Sequence, residues 1–353
     1  MDLAIAYETG HQYNPYLSVK LYYSYSHKGN FGDDLNPFLF PRMFPGLLDE
    51  NQGELLVGIG TILNHKVPKE PFKYVFGSGF GYGGRPDFSS NRWKIYCVRG
   101  PHTAASLKLD RSLAATDPAA LVSRYIPHFC GKPSGYGFIP HFESLDLGFW
   151  PEAASEAGLR FINPRASLNE VINGIQSCEV VITESLHGAI VSDCLRIPWI
   201  AIRPIVESHR KKWLDWASSL EINLHAKQLV PSSQSEARNA IWNRIRGPVK
   251  TIMASNALTI GLLNSSPQTE APEFNRNDKR SFQVCRNITN DVHSSHRTPS
   301  SADKVHIQRA VCRLQELRQC EPQLSADVAL TRALARLDDA ANRLRRDFNL
   351  ASA

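Results

Sequence analysis

The feature of the sequence that most constrains its fold is a series of short apolar runs that alternate with stretches of helical pattern. Three of these runs are Glu54–Ile59, Tyr74–Phe76 and Lys94–Val98, and glycine ends or closely follows each of them. Strands that are covered on both faces have continuous apolar sequences, and their alternation with helices is typical of a parallel sheet. The sequence therefore predicts an α/β protein.

The same alternation begins again after a glycine- and proline-rich segment at Cys130–Gly137. The later apolar runs are Leu159–Ile162, Glu179–Thr183 and Pro198–Ile202. A helix with a capping box is predicted at Ser167–Ser177. Two successive open α/β units of this kind, both Rossmann-like, bind ligands at the carboxyl ends of their strands. If the two predicted domains face each other, the site lies in the cleft between them.

Changes in composition divide the rest of the chain. The 353 residues are predicted to comprise an N-terminal extension (1–18), a first α/β domain (19–130), a second α/β domain (131–263), a flexible linker (264–302) and a C-terminal helical hairpin (303–353). The linker is predicted from its serine, threonine, asparagine and proline content.

One face of the second C-terminal helix carries an apolar stripe. Its six residues are Leu330, Leu334, Leu337, Ala341, Leu344 and Phe348. Such a stripe needs a partner, which is either the body of the protein or a second copy of the chain in a homo-oligomer.

Charge and cysteine content limit the classes of function. The 40 Lys and Arg residues oppose 34 Asp and Glu residues, which gives a formal net charge of +6 and fits anionic substrates better than nucleic acid. The seven cysteines include no C-x-x-C pair, which argues against a disulfide framework and a zinc site. No apolar run approaches the roughly 20 residues of a membrane span. We therefore expect a cytoplasmic protein, at most peripheral to the inner face of the membrane, without a metal ion.

The first candidate segment is Leu21–Phe40, in which glycines lie between a strand and a helix. Gly29 and Gly32 allow backbone N–H groups to approach an anionic ligand. Asn30 offers an amide, and Asp33 or Asp34 is able to accept a hydrogen bond from a sugar hydroxyl. The alternative is a helix cap followed by an ordinary turn.

The second candidate is Arg99 in the segment Val98–Thr103, at the end of a predicted strand. Its planar guanidinium suits a carboxylate or a phosphate, and the alternative is a structural ion pair. His102, in the first turn of the next helix, is interpreted as a local cap or a solvated side chain.

The third and strongest candidate is Glu179–Ile202, where a buried strand ends at Glu184 and Ser185, and His187 and Gly188 fall in the first turn of a helix. The helix N-terminus attracts an anion and lowers the pKa of a histidine, whereas a bound phosphate or carboxylate raises it again. His187 then becomes a protonated acid near neutral pH. The alternative is a histidine satisfied within the core.

Four further residues are weaker candidates. Lys211 and Lys212 precede the apolar face of a helix, and one of them is able to reach an anion. Asp117, before a proline at a predicted strand end, is interpreted as a helix cap. His141 also follows a predicted strand.

Taken together, these segments resemble the polysaccharide pyruvyl transferase family, especially members that modify bacterial exopolysaccharides of the succinoglycan type. The matching motifs, in order, are GNFGDDLNPFL, GIGTIL, FGSGFG, VRGPHT, TDPAAL, IPH, VVITESLHGAIVSDCLRIPWIAI and KKWLDWASSL. Each motif is weak alone, but eight of them in one order make the resemblance specific. It covers Val19 to Leu220.

The resemblance implies a fold like that of GT-B glycosyltransferases, with phosphoenolpyruvate bound between two domains and no further cofactor. It also implies that pyruvate is transferred to two hydroxyls of one sugar as a cyclic ketal and that phosphate is released. As the partner we expect a saccharide acceptor, either lipid-linked or free. A nucleotide-sugar glycosyltransferase of the same architecture and a non-catalytic partner in polysaccharide assembly remain open.

The family's residue roles can be carried over to this sequence. The family's histidine of the LHG or LHA type, an acid, corresponds to His187. The arginine that holds the donor's anionic groups corresponds to Arg99, and a donor-binding lysine corresponds to Lys212 rather than Lys211. The remaining predicted donor contacts are Ser185, Gly188, Asn30 and Gly32, and the predicted acceptor contacts are Asp33, Asp34 and His141.

Overall fold

The structure, a computed structural model, describes residues 19–50, 53–127, 129–203, 207–242 and 298–350. The predicted N-terminal extension and most of the predicted linker lie outside the described residues. The chain divides into two compact units. The first comprises the described parts of Met1–Phe142, Gly158–Gln228 and Leu317–Ala353, and the second those of Glu143–Ala157 and Leu229–Glu316.

A five-stranded parallel sheet forms from the amino-terminal part of the first unit. Its strands are β1 (Val19–Tyr22), β2 (Leu48–Asp49), β3 (Glu54–Val57), β4 (Phe72–Phe76) and β5 (Trp93–Cys97), in the order β2-β1-β3-β4-β5. Helix α1 (Phe31–Met43) connects β1 to β2, and α2 (Pro101–Leu107) follows β5. The apolar runs of the sequence are the buried strands of this sheet.

A second parallel sheet of the same unit has four strands. They are β6 (Tyr136–Ile139), β7 (Arg160–Phe161), β8 (Val180–Thr183) and β9 (Trp199–Ala201), in the order β7-β6-β8-β9. The helices that belong with it are α4 (Leu168–Gln176), α5 (Leu186–Cys194) and α6 (Glu207–Ser219). The predicted capping box of α4 is present, with Ser167 and Glu170 bonded to each other's backbone N–H groups. The α/β prediction is confirmed.

The second unit is helical and contains none of the predicted site residues. Its elements are α3 (Trp150–Glu156), a helical segment at residues 234–242 and most of α7 (Ser301–Leu317). Within it, the Trp150 indole donates to Glu236 at 3.0 Å, and the Gln234 N–H donates to Asp303 at 3.0 Å. The predicted boundary at residues 130/131 separates the two sheets, although both sheets belong to the first unit; the predicted domain limits stay predictions.

The last helix, α8 (Asp327–Asp347), packs within the first unit. Five residues of the predicted apolar stripe are buried there and Leu334 is partly buried. At its end, Phe348 lies edge-on to Tyr74 at 4.8 Å, and Asp347 accepts a hydrogen bond from the Tyr96 hydroxyl at 2.6 Å. The partner of the stripe is therefore the body of the protein. No helix in the described ranges has both the length and the apolar character to cross a membrane.

Truncation of Leu337 in this stripe is expected to destabilise the protein strongly. Because Leu337 is fully buried, Leu337→Ala should lower the free energy of unfolding by about 2–5 kcal/mol. Val328→Ala, at a 66% exposed position of the same helix, should change it by less than about 0.5 kcal/mol. Urea denaturation measures both values, and equal effects would mean that the stripe is not part of the folded core.

Candidate active site

The candidate residues follow the carboxyl ends of strands in both sheets of the first unit. Asn30 is the N-cap of α1, and Gly32, Asp33 and Asp34 lie in the first turn of this helix, after β1. Arg99 follows β5, His141 follows β6, and Ser185–Gly188 follow β8. This is the edge at which open parallel sheets bind their ligands, as the sequence analysis expects.

His187 lies in the first turn of α5. Ser185 is the N-cap residue of this helix, and its side chain accepts from the Gly188 N–H at 3.4 Å. The imidazole is only 16% exposed and lies beside α1, where Phe31 meets it edge-on at 6.5 Å. A Cβ at Gly32 would overlap Nδ1 of His187, so the ring occupies the space that a side chain at residue 32 would need.

The electrostatic surroundings of His187 favour the neutral imidazole. Burial, together with the charges of Lys212 and Arg99, lowers the pKa of His187 to about 3. The direction agrees with the sequence-based prediction, but the causes are burial and two cations rather than the helix end. A bound anion that neutralises these cations would raise the pKa again.

Asp117 is the nearest acidic side chain to this imidazole. It caps the short 3₁₀ helix Pro118–Arg124, as predicted, by accepting from the Ala119 N–H at 3.0 Å. Its other oxygen, Oδ2, lies 3.8 Å from His187 Nε2, and both atoms are buried without a hydrogen-bond partner among the described residues. Burial raises the pKa of Asp117 to about 6, against the opposing charge of Arg99.

Hydrogen bonds hold two nitrogens of the Arg99 side chain in place, and the third has no hydrogen-bond partner among the described residues. Its guanidinium is buried, with Nε donating to Asp215 at 3.0 Å and Nη1 donating to Thr61 at 2.8 Å. Asp215 in turn accepts from the backbone N–H and the hydroxyl of Thr103. The structural ion pair is thus present, yet Nη2 has no partner in the described part of the chain. Buried donors of this kind are rare in proteins, because ordered water, an ion or a ligand satisfies them.

The positive charge of Lys212, in α6, influences the pKa values of the other candidate residues. The Lys212 charge lowers the pKa values of His187, His141 and His209 and opposes the burial that raises the pKa of Asp33. Lys212 is partly buried, whereas Lys211 is exposed. Of the two lysines, Lys212 is therefore the one whose charge reaches the candidate residues.

The start of α1 is ordered by its own side chains. Asn30 donates to the Asp33 carboxylate at 2.7 Å, and burial raises the pKa of Asp33 to about 6. The pKa of Asp34 is also raised by burial. Asn36 anchors the helix to the end of β3, because its amide both donates to and accepts from the Ile59 backbone.

His141 is buried after β6 among other rings. Its backbone N–H donates to the Glu184 carboxylate at 2.9 Å, and its imidazole lies 4.7 Å from that of His209 and 4.6 Å from the Phe142 ring. Burial and the Lys212 charge lower the pKa of His141 well below its ordinary value. His102, by contrast, is exposed near Ser218, as predicted.

Comparison with known proteins identifies the family. A model of the polysaccharide pyruvyl transferase family matches residues 53–204. The succinoglycan biosynthesis protein ExoV of Rhizobium meliloti (strain 1021) is 35% identical over 340 residues, which cover 94% of this chain and 100% of that protein. This chain belongs to the polysaccharide pyruvyl transferase family.

Other parts of the comparison bear on the C-terminus and on known folds. The match to the succinoglycan protein covers so much of this pyruvyl transferase that most of residues 264–353 must be shared with it, although the recognised motifs end at Leu220. No solved structure matches the chain.

Sequence reasoning missed three side chains that this pyruvyl transferase brings to the candidate residues. Asp117 was interpreted only as a cap, and Asp215 and His209 were not singled out. The position of Asp117 directly after Ala114–Thr116 is the signal that could have marked it as a site residue. Ala114 forms a parallel bridge with Val98 beside β5, so Asp117 follows a segment that lies next to the first sheet. No local pattern in α6 marks Asp215 as the partner of Arg99.

Proposed function

We propose that this pyruvyl transferase takes pyruvate from phosphoenolpyruvate and joins it, as a cyclic ketal, to two hydroxyls of one sugar in an exopolysaccharide repeat unit, with release of phosphate. Family membership supports pyruvyl transfer to a polysaccharide. The observation that carries the choice of donor is the buried Nη2 of Arg99, without a partner among the described residues, near a histidine that burial and two cations keep neutral.

Phosphoenolpyruvate matches this arrangement because it carries both a phosphate and a carboxylate. Asp215 and Thr61 fix two nitrogens of Arg99, so Nη2 has a defined direction for one charge-assisted hydrogen bond to an anionic oxygen. Lys212 supplies the second positive charge. Ser185, Gly188, Asn30 and Gly32 complete the proposed donor site, where the N-terminus of α5 favours negative charge.

In the proposed reaction, His187 protonates the methylene carbon of the donor, which becomes a methyl group. The neighbouring carbon becomes an oxocarbenium-like centre, and a first sugar hydroxyl attacks it. Phosphate then leaves with the electrons of its C–O bond, and a second hydroxyl closes the ketal on the same carbon. Of the two hydroxyl protons, one restores protonated His187 and the other leaves with the phosphate.

The protonation state of His187 follows from charge compensation. Without an anion, His187 is neutral at pH 7, because its pKa is about 3. The bound donor places negative charge beside Arg99 and Lys212 and raises this pKa against the effect of burial, and we propose that the donor complex holds the protonated acid. Activity should therefore fall as the pH rises through the raised pKa.

For the acceptor, we propose contacts from Asp33, Asp34 and His141. Asp33 has a raised pKa and lies at the start of α1, where its carboxylate is able to orient a hydroxyl. The acceptor is proposed to be lipid-linked, which implies work in the cytoplasm at the inner membrane face. The two separate parallel sheets, each contributing site residues at its carboxyl edge, support a GT-B-like arrangement of Rossmann-like halves.

The direct test incubates the purified chain with lipid-linked oligosaccharides and either phosphoenolpyruvate or nucleotide sugars. Phosphate release with a matching mass gain of the acceptor supports the proposal. Nucleotide release indicates a glycosyltransferase instead, and no reaction with any donor, despite binding to assembly proteins, indicates a non-catalytic partner.

Substitution at Gly32 should impair the reaction without harming the fold. In Gly32→Ala, the new Cβ displaces the His187 ring, and phosphate release should fall about 10- to 100-fold. Alanine is itself a better helix former than glycine, so α1 should remain intact. Gly84→Ala is a matched control, because its Cβ would lie 3.6 Å from Nδ1 of His65, an ordinary contact. Full activity in both variants would contradict the required position of His187.

A further inference from the structure

We propose that Asp117 is a positioning residue for His187: its carboxylate accepts the Nε2–H of the imidazole and leaves Nδ1 as the nitrogen that transfers the proton. This inference rests on the proposed function, because it assigns the internal arrangement of the acid used there.

The first support is the pairing of two buried polar atoms. Asp117 Oδ2 and His187 Nε2 face each other at 3.8 Å, and neither has another hydrogen-bond partner within the described ranges. Unsatisfied buried groups are costly, and a small movement brings these two into hydrogen-bond distance. Catalytic hydrogen bonds are often long in a ligand-free site and shorten when the substrate is bound.

The second support is the difference between the two ring nitrogens. Nε2 is buried and faces Oδ2 of Asp117, so it is the nitrogen that the protein is placed to hold. Nδ1 lies against Gly32, where the absence of a Cβ makes room for the imidazole, and unlike Nε2 it is not a buried atom without a partner. The ring therefore has one nitrogen for the protein and one for the donor molecule.

The third support is the charge around the pair. The positive charges of Lys212 in α6 and Arg99 after β5 both lower the pKa of His187. The α1 residues beside the ring, Phe31 and Gly32, carry no charge. Asp117 is the negative group that an imidazolium meets there. Asp117 itself is influenced by Arg99 and by Asp215.

The competing interpretation is that Asp117 only caps its helix. Asp110 shows what such a role looks like, because it caps the 3₁₀ helix Arg111–Leu113 through the Ser112 N–H at 2.7 Å from an exposed position. Asp117 makes the same cap with one oxygen while it is completely buried and directs the other at His187. Capping does not require that burial.

The kinetic experiment compares Asp117→Asn and Asp117→Ser with Asp110→Asn. Asparagine and serine both keep the cap. Either change at Asp117 should lower kcat about 10- to 100-fold, the loss seen when the carboxylate that orients a metal-bound histidine is removed. The KM for phosphoenolpyruvate should change little, the alkaline limb of the pH profile should move to lower pH, and Asp110→Asn should behave as wild type. Unchanged pH profiles in both Asp117 variants would overturn the proposal.

A second experiment needs no turnover. In the full-length chain with ¹⁵N-labelled histidine and added inorganic phosphate, the His187 signals, assigned with His187→Gln, should report the Nε2–H tautomer of the neutral ring on the alkaline side of its titration. In Asp117→Asn, the tautomer should change, and the pKa of His187 should fall by about 1 unit or more. The same tautomer and pKa in both proteins would overturn the role of Asp117. If phosphoenolpyruvate proves not to be the donor, this measurement still decides the Asp117–His187 interaction.

Discussion

Replacement of His187 by alanine is expected to reduce phosphate release from phosphoenolpyruvate by about 10²- to 10⁴-fold, the usual contribution of a well-placed general acid. The variant retains Arg99 and Lys212, so binding of the donor should stay measurable. Steady-state phosphate release in the presence of the saccharide acceptor gives the first quantity, and isothermal titration calorimetry gives the second.

His102 provides the matched control for this experiment. It also lies in the first turn of a helix that follows a strand, but its side chain is exposed and 3.1 Å from the Ser218 hydroxyl. His102→Ala should keep full activity. Unchanged turnover in His187→Ala would exclude the acid role, and parallel loss of donor binding and turnover would make His187 a binding residue instead.

Strands were predictable from this sequence because burial on both faces leaves a strong local signal. The run Glu179–Thr183 corresponds to β8 within one residue. The run Tyr74–Phe76 gave only part of β4, because Lys73 interrupts the apolar pattern. In the structure, Lys73 is buried nonetheless: its ammonium donates to the Lys69 carbonyl at 2.7 Å and lies 4.8 Å from the centre of the Trp93 ring. The pattern of apolar residues in the sequence does not reveal a lysine that is buried in this way.

Helices without strong periodicity were less predictable. The sequence of Leu145–Ala157 predicts one helix, whereas in the structure α3 spans Trp150–Glu156 and follows a separate 3₁₀ turn at Ser144–Asp146. Pro151 explains the difference, because proline is favoured in the first turn of a helix and marks its start.

The candidate site was only partly predictable, for a different reason. The sequence makes Arg99 and His187 candidates because functional residues follow the carboxyl ends of parallel strands, and the structure places both after strands. Asp117 and Asp215 were missed because their roles depend on partners far away in the sequence, His187 and Arg99. Before a proline, an aspartate that caps a helix and one that also faces a histidine have the same local sequence.

The second large effect is expected at Arg99. Arg99→Ala removes the unpartnered Nη2 donor, and the Kd for phosphoenolpyruvate should rise about 10- to 100-fold, as for the loss of a hydrogen bond between charged groups. The variant also leaves Asp215 buried without its ion-pair partner, which should lower the free energy of unfolding by about 3–5 kcal/mol. Calorimetry and urea denaturation measure the two effects separately.

Arg99→Lys separates the binding role from the structural ion pair. Lysine keeps the positive charge beside Asp215 but lacks the planar fork that fixes Nη2, so donor affinity should fall more than stability does. Arg92→Lys, at an exposed arginine just before β5, is the matched control and should change neither quantity. If Arg99→Lys loses stability while the folded fraction binds phosphoenolpyruvate with wild-type Kd, then Arg99 serves only its pair with Asp215. In that case the donor's anionic groups must be held by Lys212 and the N-terminus of α5 alone.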